Sequence, residues 1–254
     1  MRVVRLIVLI ALISSTLAGA ARQSPVEIKV WTARAIATVL AEIGPEFEHT
    51  TGYRLSITSD LPPAFARRAS AGEPCDVIVS GSATIDEWSK AGRILPETRI
   101  DIARSGIGVE VKAGAAKPDI SSVEAFKRAL LAAKSVAFLR VGSGIHVAGL
   151  VDRLGIAEAI KAKVTRPESD IVSELVAKGE VELGIVVITQ ILTTPGVELV
   201  SPLLAGVQSY VTFTGAVSAT SKAPEAARQL ITFLTGATAR PVMRKQGMEP
   251  VLSR

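Results

Sequence analysis

The 254-residue chain contains a single cysteine, Cys75, so no disulfide can form within it. Aromatic residues make up only 4% of the chain against 48% for all hydrophobic residues, so its core must be built from Val, Ile, Leu and Ala. There are two histidines, His49 and His146, and no CxxC, HxH or HExxH spacing. The usual metal-ligand patterns are therefore missing, and neither a metal nor a cofactor is expected. Cys75 stands in EPCDVIVS, ahead of a strand-like run, and reads as a small buried hydrophobe. The formal net charge of +5 is scattered, with no run of Lys or Arg that would form a nucleic-acid patch.

What is present begins at the N-terminus. Arg2 and Arg5 precede an apolar stretch, Leu6 to Leu17, which ends at Ala18-Gly19-Ala20. A charged start, an apolar centre and an A-x-A end make residues 1–20 a secretory signal peptide, and the mature protein is expected to be periplasmic. The apolar stretch is well short of the roughly 20 residues that span a bilayer. No Cys stands immediately after Ala20, so no lipid anchor is expected. The remaining length suits one large domain or two lobes.

Strand-like and helix-like segments then alternate. Val26–Trp31, Tyr53–Thr58 and Asp76–Val79 read as strands, with helices at Ile36–Phe47, Pro63–Ser70 and Ala83–Ala91. A second group starts near Gly106: extended Ile107–Lys112, helix Val123–Ala133, strand Ser135–Leu139, helix Ile145–Leu154, helix Asp170–Lys178 and strand Leu183–Ile188. Extended pieces at Val197–Ser201 and Tyr210–Thr214 precede helices at Ala223–Leu234 and Thr238–Lys245. This alternation predicts an α/β fold with mainly parallel sheets flanked by helices.

In such sheets ligands sit beyond the carboxyl ends of the strands, which singles out the loops after Trp31, Thr58, Val79, Leu139 and Ile188. Thr32-Ala33-Arg34-Ala35, Ser59-Asp60-Leu61-Pro62-Pro63 and Arg140-Val141-Gly142-Ser143-Gly144 each lead into a helix, and Pro167-Glu168-Ser169-Asp170 precedes another. Helix starts have unbonded N–H groups and the positive end of the helix dipole, so these loops suit an anion. Gly142 and Gly144 would let the backbone approach it, Ser143 adds a hydroxyl, and Arg34 and Arg140 offer the forked donors that match a carboxylate. Ser59, Asp60 and Ser169 are equally good helix caps. His146, in the first turn after Gly144, is placed either to touch a ligand or carry a proton, or to serve only as a surface or core side chain.

Five segments in order, VWTARAIATVLAEIGPEFEHTTG (30–52), ARRASAGEPCDVIVS (66–80), VAFLRVGSGIHVAGLVDRLGI (136–156), ELVAKGEVELGIV (174–186) and KAPEAARQLITFL (222–234), resemble the molybdate-binding branch of periplasmic substrate-binding proteins. That resemblance implies two α/β lobes joined by two crossing strands near Ser105–Glu110 and Tyr210–Thr214. Lobe 1 would be 24–105 with 213–254, and lobe 2 would be 106–212. The partners it implies are a small anion in the interlobe cleft and the membrane permease of an ABC importer, with the receptor a monomer.

The family's oxyanion-binding Ser positions fall here at Ala35 and near Leu61 or Pro62, with Ser59 close by, and its Tyr position is Val187. Only backbone contacts around Ser143 and Ser169 carry over unchanged. With Arg34 and Arg140 added, the expected ligand is a di- or tricarboxylate in preference to a molybdate-type oxyanion. A second resemblance, to the aconitate isomerases of the same fold family, rests on KPDISSVEAFKRAL (117–130), SVAFLRVGSG (135–144), PGVELV (195–200) and SKAPEAAR (221–228). It implies an alternative, a cofactor-free isomerase of an unsaturated tricarboxylate with His146, ahead of Asp60, as its base.

Overall fold

The computed structural model describes residues 25–251; the signal-peptide expectation falls on residues outside that range. The elements of the first part are β1 (Glu27–Thr32), α1 (Arg34–Thr51), β2 (Arg54–Ser59), α2 (Pro62–Ser70), β3 (Val77–Gly81), α3 (Ser82–Lys90) and β4 (Ile100–Lys112). Next come α4 (Val123–Ala132), β5 (Val136–Ala137), α5 (Ser143–Arg153), α6 (Ala157–Ile160), β6 (Val164–Thr165), α7 (Val172–Lys178), β7 (Leu183–Val187), α8 (Ile188–Thr193) and β8 (Val197–Pro202). The chain closes with β9 (Tyr210–Val217), α9 (Pro224–Thr235), α10 (Ala239–Lys245) and β10 (Glu249–Pro250).

The strands follow one hydrogen-bonded path, β2-β1-β3-β9-β4-β7-β5-β6, with β8 and β10 also pairing β4. The blocks β2-β1-β3 and β6-β5-β7 are parallel, while β4 and β9 run antiparallel to their neighbours. β4 links the two blocks. Its first half, Ile100 to Gly106, pairs β9, and its second half pairs β7 and β8. The core changes over along the same strand: Ile102 and Ala103 pack with Val30, Leu40, Val77 and Leu230, whereas Ile107, Val109 and Val111 pack with Phe126, Leu150 and Ile185.

Each lobe is a sheet covered on both faces, as the apolar pattern requires. In α1, buried Ile36, Val39, Leu40, Ile43 and Phe47 recur at helical spacing, and Gly52 ends the helix in the left-handed region at φ 75°. On the opposite face Trp31 stacks on Phe65 of α2 at 5.8 Å and meets Trp88 of α3 edge-on at 6.2 Å. β3 buries Val77, Ile78 and Val79 completely, as a central strand must. Cys75 is buried as well, donating to the Val77 carbonyl at 3.2 Å, and burial pushes its thiol up to about 12. Among the described residues no helix is long and apolar enough to cross a membrane.

Beyond the short α6, β6 and β10, which the sequence reading did not include, the main differences from it lie in β4, β5 and the β7–α8 junction. β4 begins at Ile100, well before Ile107, because Ile100–Gly106 pairs with β9, and the solvent-facing Asp101 and Arg104 break up the apolar pattern of that half. β5 is only Val136–Ala137; after it the backbone turns to bond the Thr165 and Pro167 carbonyls. The run LGIVVITQIL divides into β7 and α8, a split that a continuous apolar stretch does not reveal.

Candidate functional site

A cleft of about 450 Å³ opens between the lobes. The residues that immediately precede five helices line it: Ala33 before α1, Leu61 before α2, Gly81 before α3, Gly142 before α5 and Val187 before α8. Most helices here lack a side-chain cap, so that alone does not distinguish these five. Charge does. None of them carries an acidic residue in its first turn, whereas α4, α6, α7 and α9 carry Glu124, Glu158, Glu174 and Glu225 there. The positive ends that face the cleft are all left without a first-turn carboxylate, and of the described α-helices elsewhere only α10 shares that lack.

The donors differ from start to start. In α1 the Ile36 and Ala37 N–H groups bond the Ala33 carbonyl, leaving those of Arg34 and Ala35. In α5 the Gly144 and Ile145 N–H groups bond Val141 and Gly142 at 3.1 and 3.2 Å, leaving Ser143. In α3 Ser82, Ala83 and Thr84 all line the cleft. α2 corrects the expectation that every start offers N–H donors: it opens with Pro62 and Pro63, which have none, and so contributes only its dipole.

Arg34 lines the cleft and is already engaged across it. Its Nη1 pairs with Glu174 Oε1 on α7 and donates to the Asp170 carbonyl at 3.1 Å. Its Nε and Nη2 make no hydrogen bond among the described residues. Behind Glu174, the fully buried Glu110 of β4 accepts from Ser173 Oγ at 2.9 Å. Burial, opposed by that hydrogen bond and reinforced by Glu174 and Asp170, raises the Glu110 carboxyl from 4.5 to about 7. The Asp170 carboxyl is also raised by burial, against the pull of Arg34.

The other residues singled out in the sequence are distributed less evenly. Ala35 and buried Ser143 line the cleft. Ser59 is exposed and lines a neighbouring crevice with Asp60 and Thr38. Gly144 lies behind the wall, where a Cβ would collide with the Leu139 carbonyl, so glycine there serves the protein's own backbone. Gly142, at φ 58°, does face the cleft.

Ser169 lies outside the lining, its carbonyl accepting from Ile171. Arg140 lies outside it too: its side chain is 60% exposed and its Nε faces Glu168 at 3.5 Å, so the two arginines do not converge. His146 points away, its Nε2 within 2.9 Å of the Val207 carbonyl. Reading the loops missed Ser80, Ser82, Asp170 and Gln190 as wall residues, though the Ser-Gly-Ser that follows Val79 is a visible signal for the first two.

A larger groove of about 600 Å³ lies on the second lobe, beside Lys112, Lys117 and Glu182. It receives the C-terminal ends of α4 and α7, at Ala133 and Gly179, which is the wrong polarity for an anion.

Comparison with known proteins agrees with this architecture. The chain is 30% identical over 237 residues to an aconitate isomerase from Pseudomonas, covering 91% of this chain and 90% of that protein. The periplasmic molybdate-binding protein of Azotobacter vinelandii superposes with a TM-score of 0.73 at 20% identity, covering 89% of this chain and 100% of that one. A sulfate-binding protein from Mycobacterium tuberculosis gives 0.70 at 17% identity, covering 89% and 87%. These two likenesses speak to the fold alone. The sequence profile described as bacterial extracellular solute-binding protein matches residues 28–249, and the chain belongs to that family.

Proposed function

We propose that the chain is a periplasmic receptor that captures a small organic carboxylate between its lobes and presents it to the membrane permease of an ABC importer. The observation that carries this reading is the convergence of helix starts without acidic first turns, from both lobes, on one cleft. The names of the structural relatives, binders of molybdate and sulfate, support an anion as the ligand. In this reading lobe 1 is 24–105 with 213–254 and lobe 2 is 106–212. The core changeover between Ala103 and Ile107 supports that division. Export through residues 1–20 and action as a monomer complete the proposal.

The ligand's carboxylate would sit on the N–H groups of Arg34, Ala35 and Ser143 and on the free edge of the Arg34 guanidinium. Oriented amides attract an anion without adding net charge, which matters because Asp60, Asp170 and Glu87 also line the cleft. An organic acid is favoured over a tetrahedral oxyanion on size and on lining. The cleft volume of about 450 Å³ lies in the range of organic-ligand sites, and Leu61, Leu139, Ile145, Val187 and Phe213 give it apolar walls. With one guanidinium in the lining, a dicarboxylate suits it better than a tricarboxylate. Closing the lobes over the ligand would then create the surface that the permease reads.

A thermal-shift panel of molybdate, sulfate, succinate, malate and citrate tests the reading. A ligand at a hundredfold excess over its Kd stabilises by about 2.7 kcal/mol. Stabilisation by a carboxylate and none by molybdate supports the proposal; stabilisation by molybdate alone refutes the carboxylate preference.

The full-length identity to an aconitate isomerase supports a second reading, the isomerase. His146, bonded to a backbone carbonyl away from the lining, is poorly placed to be its base. Asp170, on the wall with a raised carboxyl pKa, is better placed for proton transfer. Conversion of trans-aconitate to the cis isomer by the purified protein, lost in Asp170→Asn, would establish this reading, and absence of conversion between pH 5 and 9 would remove it.

A further inference from the structure

We propose that Asp170 and Gln190 form a hydroxyl subsite in the cleft, so that the captured carboxylate is a hydroxy acid. The inference rests on the carboxylate reading above and narrows it.

Gln190 of α8 is 3% exposed, lines the cleft, and its amide Nε2 has no hydrogen-bond partner among the described residues. Asp170, across the same wall, has a buried Oδ1 that is also without a partner. The Gln190 amide lies near enough to the Asp170 carboxylate to favour its charge, yet the two do not close a hydrogen bond. Folded proteins leave few buried polar atoms unmet, and each one costs free energy. Here one donor and one acceptor are left unmet side by side, covered atoms of two side chains that line the cleft.

The missing group must therefore accept one hydrogen bond and donate another. A hydroxyl does both; an ammonium only donates, and a keto oxygen only accepts. The position agrees. Arg34 Nη1 donates to the backbone carbonyl of Asp170 itself, so a carboxylate held by the free edge of Arg34 lies next to this pair. A hydroxyl on the carbon beside the ligand's carboxyl group is then the natural occupant. Sites built around a substrate hydroxyl discriminate strongly against analogues that lack it, because the protein's polar atoms are stranded when it is missing.

The test is calorimetric titration of the wild-type protein with matched pairs, malate against succinate and citrate against tricarballylate, together with aspartate. The expected result is that at least one hydroxylated member binds tenfold or more tightly than its partner. In Gln190→Leu, checked for folding by circular dichroism, that ratio should fall to within about twofold while the affinity for the deoxy member holds. If Gln190→Leu does not fold, the wild-type ratios decide alone. Equal binding within both pairs overturns the hydroxyl subsite and leaves the carboxylate reading intact, the two side chains then satisfying each other by a small shift. Tighter binding of aspartate than of malate overturns it in favour of an ammonium site. No binding by any of these acids overturns both proposals.

Discussion

The two walls of the cleft hold their carboxylates differently. The first-lobe wall contributes the starts of α1, α2 and α3, the Arg34 side chain and two carboxylates, Asp60 and Glu87, neither of which pairs with Arg34. The second-lobe wall contributes the start of α5 but also Asp170, with Glu174 and the buried Glu110 behind it, and so mixes donors with acceptors. The walls meet through Arg34 and Glu174. An incoming anion therefore competes with the protein's own carboxylate for one guanidinium. The difference between the walls sets the affinity, since whatever weakens the acceptors of the second wall favours the ligand.

That contrast can be broken most severely from the second wall. Gly144→Ala should drive a methyl into the Leu139 carbonyl, costing about 3 kcal/mol or preventing folding, as urea unfolding would show. Next in size is Glu110→Gln. The folded carboxyl is raised from 4.5 to about 7, so the folded state binds the extra proton between those values. This group's contribution to stability is then present at low pH and lost as pH rises through that window. The variant should gain on wild type by about 3 kcal/mol from pH 4 to pH 8 in urea unfolding.

The two sides of the ion pair should give opposite results on binding. Arg34→Gln removes a charged donor and should weaken dicarboxylate affinity by about tenfold or more in calorimetry. Glu174→Gln removes the internal competitor and should tighten it by a factor of about two to five. Smallest of all, Arg140→Ala should change affinity and stability by less than about 0.5 kcal/mol, because that side chain is exposed and outside the lining.

Much of this fold was readable from the chain. Helical spacing of Ile36, Val39, Leu40 and Phe47 and the all-apolar Val77–Val79 give α1 and β3 directly, because burial imposes a period on sequence. β4 was half hidden, since the strand that links the two blocks carries Asp101 and Arg104 in its first half. The site was legible where it depends on local structure: the loop before α1 and the one before α5 could be picked out as helix starts. It was illegible where it depends on which way a long side chain turns. Arg140 and His146 stand beside cleft residues in sequence, yet Glu168 and the Val207 carbonyl hold them elsewhere. Gln190 reaches the wall only because α8 follows β7 without a loop, which an unbroken apolar run conceals.

The central claim, that helix starts from both lobes hold one anion, is tested most directly by titrating the isotope-labelled protein with malate and following backbone amide resonances. The account predicts saturable shifts at Arg34, Ala35, Ala83 and Ser143 with a single shared Kd, and none at Ala125, whose N–H is already capped by Ser122. Shifts confined to one lobe, or centred on the groove at Lys112 and Lys117, would contradict it.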